Sequence, residues 1–278
     1  MSLRLMYITN RPEIAKIADK TGVDRIFVDM EYIGKEKRQA GIDSVKSHHT
    51  ISDIVSVRKV LKNAELLVRV NPIHKSTIKY GSSYEEINAA IDAGADVIML
   101  PMYRTIDDVE NFLHIVNGRA KTQLLAETQD ACLIMNQVVQ IHEVDEIHLG
   151  LNDLQLAYHK KFMFELLADG TVDDICNHIK QSSKKFGFGG IARVGYGMLP
   201  AEYVIKEHYR IGSTCAILSR AFCNADKIKE LSVINELFES EIVKIRETEI
   251  FAENMNKEAL NLNHEQVKKV VNQIIAEM

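Results

Sequence analysis

The 278-residue chain has no apolar run near the ~18 residues that cross a bilayer, so a membrane-spanning helix is not expected. It has no basic surplus either. Its 34 Lys and Arg face 39 Asp and Glu, for a formal charge of −5 and a pI near 6.1. A nucleic-acid surface would show a basic face, so neither a nucleic acid nor a membrane is an expected partner. Cysteine is scarce: Cys132, Cys176, Cys215 and Cys223 form no CxxC pair, too little for a disulfide framework or a zinc knuckle. They read as small buried hydrophobes in a reducing compartment. The start, MSLRLMYITNRPE, lacks a long apolar segment and a small-residue cleavage site, so no signal peptide is expected. These absences leave a soluble, cytoplasmic, core-forming chain.

What is present is alternation. Eight apolar runs rich in Ile, Val and Leu read as strands: LRLMYI (3–8), RIFVDM (25–30), ELLVRV (65–70), DVIMLP (96–101), TQLLAE (122–127), DEIHLG (145–150), FGGIAR (188–193) and TCAILS (214–219). Between them lie stretches such as PEIAKIADKTG and IDDVENFLHIVNG, with apolar residues three and four apart. Gly22, Gly94, Gly118, Gly187 and Gly212 fall where left-handed helix ends want a residue without a Cβ. Alternating strands and helices imply parallel βαβ units, and eight of them in this length imply an α/β (β/α)₈ barrel. Residues 1–225 are assigned to that barrel. Residues 226–278 show only helical patterning, with an apolar stripe over Ile228, Leu231, Ile234, Leu237, Ile242 and Ile245. A cap at Asn263 would precede a second stripe over Val267, Val270, Val271, Ile274 and Ile275. This extension is read as closing the barrel base or, preferably, as joining subunits into a homo-oligomer.

A barrel carries its chemistry at the C-terminal ends of its strands. The polar residues there are Asp29, Glu31 and Tyr32 after strand two, Arg69 and Asn71 after strand three, Glu127 and Gln129 after strand five, Asn152 and Asp153 after strand six, and Arg193 after strand seven. Glu127 and Asp153 close adjacent strands, which lie ~4.8 Å apart. Such a pair suits a hard divalent cation, or each acid could cap the helix that follows it. Arg69, set in an apolar strand, could form a structural ion pair with Asp29 or Glu31, or fork onto a substrate carboxylate or enolate oxygen. His48 and His49 end a long polar segment, and their ordinary pKa range suits general bases. The other histidines, His148 among them, read as packing or surface residues. The glycine cluster GFGGIARVGYG (187–197) contains a G-x-G-x-x-A match, but it falls late and within a strand, unlike a dinucleotide fingerprint. Near a barrel mouth, such glycines would let backbone amides approach an anionic group.

These residues, in this order, resemble the HpcH/HpaI aldolase and citrate lyase β-subunit-like family of pyruvate and phosphoenolpyruvate-type barrels, from about residue 3 to residue 222. VDRIFVDMEY looks like its strand-two D-x-E motif, LLVRVNP like its arginine strand, and AGADVIMLPMYRTIDDVENF like its strand-four stretch. LLAET with the aspartate of LGLNDLQ resembles its metal pair. The resemblance implies that Glu127 and Asp153 ligate Mg²⁺ or Mn²⁺ and that Arg69 contacts the keto or enolate oxygen. It also implies that the backbone of Gly150, Leu151 and Asn152 approaches the substrate carboxylate, and that C-terminal helices are exchanged between subunits. Two departures stand out. Tyr32 occupies the place of the aldolase branch's histidine, so His48, His49 or a water must serve as base. Gly150-Leu151 replaces the usual Gly-Pro, and EYIGKEKRQ is closer to the lyase branch. The expected function is a metal-dependent carbon–carbon lyase of the class II aldolase type acting on a 2-oxo acid such as pyruvate, with Arg69, His48, His49, Asp29 and Glu31 as catalytic candidates. The alternatives are a citrate-lyase-like acyl-coenzyme A lyase or thioesterase, and a catalytically silent barrel.

Overall fold

The computed structural model describes residues 2–35 and 48–278. Eight short parallel strands run β1 Arg4–Ile8, β2 Arg25–Asp29, β3 Glu65–Arg69, β4 Val97–Leu100, β5 Lys121–Ala126, β6 Glu146–Leu149, β7 Lys185–Phe188 and β8 Cys215–Leu218. Each pairs with the next, and β1 pairs with β8, so the sheet closes into a barrel. The helices are α1 Pro12–Lys20, α2 Ile51–Arg58, α3 Ser83–Asp92, α4 Ile106–Val116, α5 Gln129–Leu133, α6 Met135–Val138, α7 Leu151–Ala157, α8 Glu165–Ala168, α9 Thr171–Lys180, α10 Ala201–Ile211, α11 Leu231–Glu253 and α12 Lys257–Glu277. Capping boxes at Thr50/Asp53, Ser82/Glu85 and Thr105/Asp108 start α2, α3 and α4. Each satisfies amide donors that a helix start leaves open.

Side chains on a strand alternate between faces, so the register sorts the barrel interior into layers. On β2 and β3, Arg25 pairs with Glu65, Phe27 with Leu67 and Asp29 with Arg69. The first and third of these pairs are charged and the second is apolar. Phe27 and Leu67 join Met6, Val97, Met99, Leu125 and Cys215 in a buried apolar layer. The barrel is thus polar at each end and apolar in its middle. Among the described residues, no helix is long and apolar enough to cross a membrane.

Three expectations need correction. The seventh strand is Lys185–Phe188, not 188–193. Gly187 therefore lies inside a strand and does not end a helix. A Cβ on it would come within 2.1 Å of the Cys215 carbonyl oxygen, so the glycine is required by close approach of β8. Past Phe188 the 188–193 stretch contributes an isolated bridge, Ile191 to Leu218, and no strand. Asn263 is not a helix cap either. Asn256 caps α12, accepting from the Ala259 amide at 2.8 Å. Asn263 lies about two turns beyond that cap, buried, donating to Glu207 Oε1 at 2.9 Å. Its polarity signalled a buried partner rather than a helix start.

The two C-terminal helices differ in what they cover. α11 packs against α1 and α10. Its Phe238 meets Tyr7 of β1 edge-to-face, with ring centroids 4.9 Å apart, and Phe222 at 5.1 Å. It therefore fills the eighth position of the outer helical ring, inside the segment assigned by sequence to an extension. α12 returns across α10 and α8, burying Val267 and Val271.

Candidate active site

The charged top layer sits at the C-terminal ends of the strands. Asp29 takes the Arg69 guanidinium as a fork: Nε donates to Oδ1 and Nη2 to Oδ2, each at 2.8 Å. Such two-point ion pairs fix orientation as well as charge. Glu31 Oε2 lies 3.4 Å from Arg69 Nη1. Lys35 Nζ donates to Asp29 Oδ2 at 2.6 Å. Burial would raise the Asp29 pKa, but Arg69 and Lys35 outweigh it and hold the carboxyl well below its usual range. Burial likewise opposes the charge on Arg69, yet Asp29, Glu31 and Glu127 push its pKa further up. Asp29 and Arg69 therefore hold each other in their charged forms. Lys35 escaped the sequence reading because it stands in a polar stretch with other lysines, and only the fold brings its ammonium to Asp29.

The structural ion pair that sequence left open for Arg69 is thus present, and it does not exhaust the residue. A guanidinium has five N–H donors, and this one keeps 13% of its side chain exposed at the barrel mouth. Around it the loop after β2 is pinned by Asn71, whose Oδ1 accepts from the amides of Tyr32 and Ile33 at 2.8 Å. Asn71 Nδ2 in turn donates to Glu86 at 2.8 Å. Burial raises the Glu86 pKa.

Both candidate histidines come to this rim, in different states. His49 is buried, and its Nδ1 accepts the Asp29 backbone amide at 2.9 Å. That bond places its ring proton on Nε2. Burial lowers its pKa, partly offset by Asp29. His48 is exposed and stacked on Tyr32 at 6.0 Å, and Tyr32 also stacks on Tyr80 at 6.4 Å. The residue in the place of the family histidine is therefore the centre of an aromatic row. Residues 36–47 of the polar segment lie outside the described residues.

Glu127 follows β5 and is buried at 2% exposure. Its Oε1 accepts the Met102 amide at 3.1 Å. Met102 has φ 54°, a left-handed conformation that costs a non-glycine residue about 1–3 kcal/mol. Gly150 gives the same carboxylate room, since a Cβ there would meet Glu127 Oε2 at 2.7 Å. Gly150 opens α7, whose third residue is Asp153, 8% exposed. The Glu127 carboxylate is thus packed on the residue that starts the helix carrying Asp153. Glu127 does not cap its own helix, because the Thr128 hydroxyl accepts the Ala131 amide there.

Among the described residues, no group of three His, Cys, Asp or Glu side chains is arranged to hold a metal ion. Two buried carboxylates, Glu127 packed on Gly150 and Asp153 in the first turn of the helix after it, nevertheless fit a hard cation. Mg²⁺ is ordinarily held by one or two carboxylates, with substrate oxygens and water completing the octahedron. Of the backbone groups expected to face a substrate carboxylate, the Gly150 amide is already bonded to the Ala126 carbonyl at 3.0 Å. Leu151, buried, and Asn152, exposed, open the helix beyond it. On the β7 side, the Arg193 guanidinium lies 4.1 Å over the Tyr196 ring.

This arrangement, a closed (β/α)₈ barrel with an acidic mouth and one forked arginine, defines the class of fold and site. The profile of the HpcH/HpaI aldolase/citrate lyase family matches residues 4–204, and the chain belongs to that family. Among solved structures the chain is similar to an HpcH/HpaI aldolase/citrate lyase family protein from Burkholderia cenocepacia. The identity is 13% over 88% of this chain and 94% of that one, with a TM-score of 0.62. It is similar to the HpcH/HpaI aldolase from Desulfitobacterium hafniense, at 12% identity over 88% and 93% of the chains and a TM-score of 0.58. It is also similar to protein CitE from Mycobacterium tuberculosis, solved with magnesium and pyruvate, at 11% identity over 90% and 98% and a TM-score of 0.58. No curated protein sequence matches the chain significantly.

Proposed function

We propose that this chain is a divalent-metal-dependent carbon–carbon lyase of the aldolase type, acting on a 2-oxo acid whose product is pyruvate or a close analogue. The observation that carries the reading is two buried carboxylates at the same barrel end as Arg69: Glu127, packed on Gly150, and Asp153 in the first turn of the helix that Gly150 starts. The family's other structures support it, one of them a complex with magnesium and pyruvate. In the cleavage direction, the C3–C4 bond of a 4-hydroxy-2-oxo acid breaks as the C4 hydroxyl loses its proton. The bonding pair becomes the C2=C3 double bond of the enolate, and negative charge gathers on the C2 oxygen.

Glu127 and Asp153 would hold Mg²⁺ or Mn²⁺. A divalent ion held there acts as a Lewis acid toward that developing charge. Arg69, kept in orientation by Asp29 and Lys35, presents its remaining N–H groups to the C2 oxygen. Glu31 helps to hold the guanidinium in place. The backbone at Leu151 and Asn152 faces the substrate carboxylate, while Gly150 contributes room rather than a donor. His48 takes the hydroxyl proton, because His49 spends its Nδ1 lone pair on the Asp29 amide and presents Nε2–H as a donor. We further assign to this protein a cytoplasmic location and a homo-oligomeric state. Val243, Ile250, Phe251 and Leu262 on the outer faces of α11 and α12 support the oligomer, and light scattering on the eluted protein measures it.

Calorimetric titration with Mn²⁺ tests the metal assignment. Wild-type protein should bind one ion, and Glu127→Ala with Asp153→Ala should abolish the heat. Unchanged binding in the double variant would remove the assignment. His48→Asn should slow turnover by roughly 10²–10⁴-fold, the range for losing a general base, and His49→Asn by less.

A further inference from the structure

The apolar middle layer of the barrel contains one polar ring. His148 of β6 pairs in register with Leu125 and with Gly187, and its side chain is fully buried. Its Nδ1 stands 3.7 Å from Cys215 Sγ. Its Nε2 is buried and makes no hydrogen bond with any of the described residues. An unmet polar group in such a place costs about 1–3 kcal/mol, whereas an apolar side chain of similar size would cost nothing of the kind. His208 also has a buried Nε2 without a bond, but it lies on α10, outside the strands, with its ring flat on Phe188 at 3.8 Å. Only His148 faces the barrel axis.

The direction of that nitrogen matters. A Cβ built on Gly189, just past β7, would stand 3.6 Å from His148 Nε2 and 3.9 Å from the Ile217 side chain, so the glycine leaves room for one more group beside that nitrogen. Gly189 itself is partly exposed at the mouth. Glu127 lies two residues beyond Leu125, about 6.6 Å further along the strand direction. The ring is therefore one layer beneath the carboxylates and Arg69, a depth comparable to a three-carbon acid. Burial lowers the His148 pKa to about 3, with Arg25 and Arg69 adding to the effect against Glu146, so the ring is neutral. Burial pushes the Cys215 thiol up to about 12, so it keeps its proton. A thiol that donates to Nδ1 leaves the ring proton on Nε2.

We infer that His148 forms the floor of the substrate site and donates Nε2–H to an oxygen of a small 2-oxo acid held between it and Arg69, with Cys215 as the positioning residue that fixes the ring's tautomer. The inference rests on the proposed function, and it adds a binding residue inside the barrel that the carboxylate pair and Arg69 do not supply.

The test is a titration of pyruvate, and of oxalate as a planar dianionic stand-in for its enolate, into the Mg²⁺-supplemented protein, alongside thermal melting. His148→Phe should melt at or above the wild-type temperature, because it removes an unmet polar atom, while binding both acids about 10-fold more weakly, the equivalent of one hydrogen bond. His148→Gln, which keeps an N–H donor, should recover most of that loss. Gly189→Ala leaves the histidine in place and covers it with a methyl group in ordinary contact; it should weaken binding similarly, and it decides the matter if His148→Phe fails to fold. Wild-type affinity in His148→Phe or in Gly189→Ala would overturn the floor assignment while leaving the lyase reading intact. Absence of binding in the wild-type protein itself would overturn the lyase reading and the floor assignment together.

Discussion

Two of the described arginines, Arg25 and Arg69, sit at opposite ends of the barrel, and their surroundings differ. Arg25 starts β2 and is fully buried. Its Nη1 donates to Glu146 at 2.7 Å and its Nη2 to Glu65 at 2.6 Å. Around these carboxylates stand Arg4, Gln123 and Lys121, each bonded to one of them. Arg69 ends β3 and is also forked onto a carboxylate, but it stays partly open at the mouth. The chemistry of the two pairs is the same. Their position on the strands is not, and in a barrel the N-terminal end serves stability while the C-terminal end carries the site. A buried Arg–carboxylate pair is thus a plug where its donors are used up, while at the mouth the Arg69 guanidinium keeps an open edge.

The largest expected effect falls at the plug. Arg25→Ala leaves Glu65 and Glu146 short of a counter-ion in the interior and should cost about 3–5 kcal/mol in denaturant unfolding. Turnover per folded molecule should stay near that of the wild type. A stable Arg25→Ala protein would erase the distinction drawn here. At the mouth, Arg69→Ala should reduce turnover by roughly 10²–10³-fold, the scale for losing a donor to a developing oxyanion. Its stability loss should be smaller than that of Arg25→Ala, because Lys35 still holds Asp29. Equal stability losses with full turnover would show that Arg69 is only a second plug.

The smallest effect is in acid. Burial alone would raise the Glu65 pKa, but hydrogen bonds from Lys121 and Arg25 hold it down to about 2, against an ordinary value of 4.5. A folded-state pKa below the unfolded one means the contribution is fully present above about pH 4.5. It is lost as pH falls from there toward about 2. Asp29 shifts in the same direction, so the mouth adds to the same acid limb. Denaturant midpoints taken between pH 5 and pH 3 should therefore fall with pH in the wild type and fall less steeply in Arg25→Met. An identical slope in both would contradict the pairing.

The barrel was readable because its signal is periodic. Seven of the eight apolar runs overlap their strands closely, since buried parallel strands are near-continuous apolar segments. The eighth was displaced because Gly187, Gly189 and Gly190 break the apolar pattern, and the strand that packs on β8 is KFGF. Strand-end position marks Asp29, Arg69, Glu127 and Asp153, and the adjacency of strands five and six pairs the last two. What sequence could not show was long-range pairing. Lys35 reaching Asp29, Met102 turning its amide to Glu127, and Asn263 reaching Glu207 each depend on where distant segments meet. His148 reads in sequence as a packing or surface residue, because nothing local distinguishes a histidine whose Nε2 has a partner from one whose Nε2 has none.

If the mouth of the barrel stabilises a pyruvate enolate, the C3 protons of pyruvate should exchange with solvent there. The direct measurement is proton NMR of pyruvate in D₂O with Mg²⁺ or Mn²⁺ and the protein, following the C3 methyl signal. The account predicts protein-dependent exchange that needs the divalent ion and disappears in Arg69→Ala and in Glu127→Ala. No exchange above the protein-free rate in the wild type, with either ion, would contradict it.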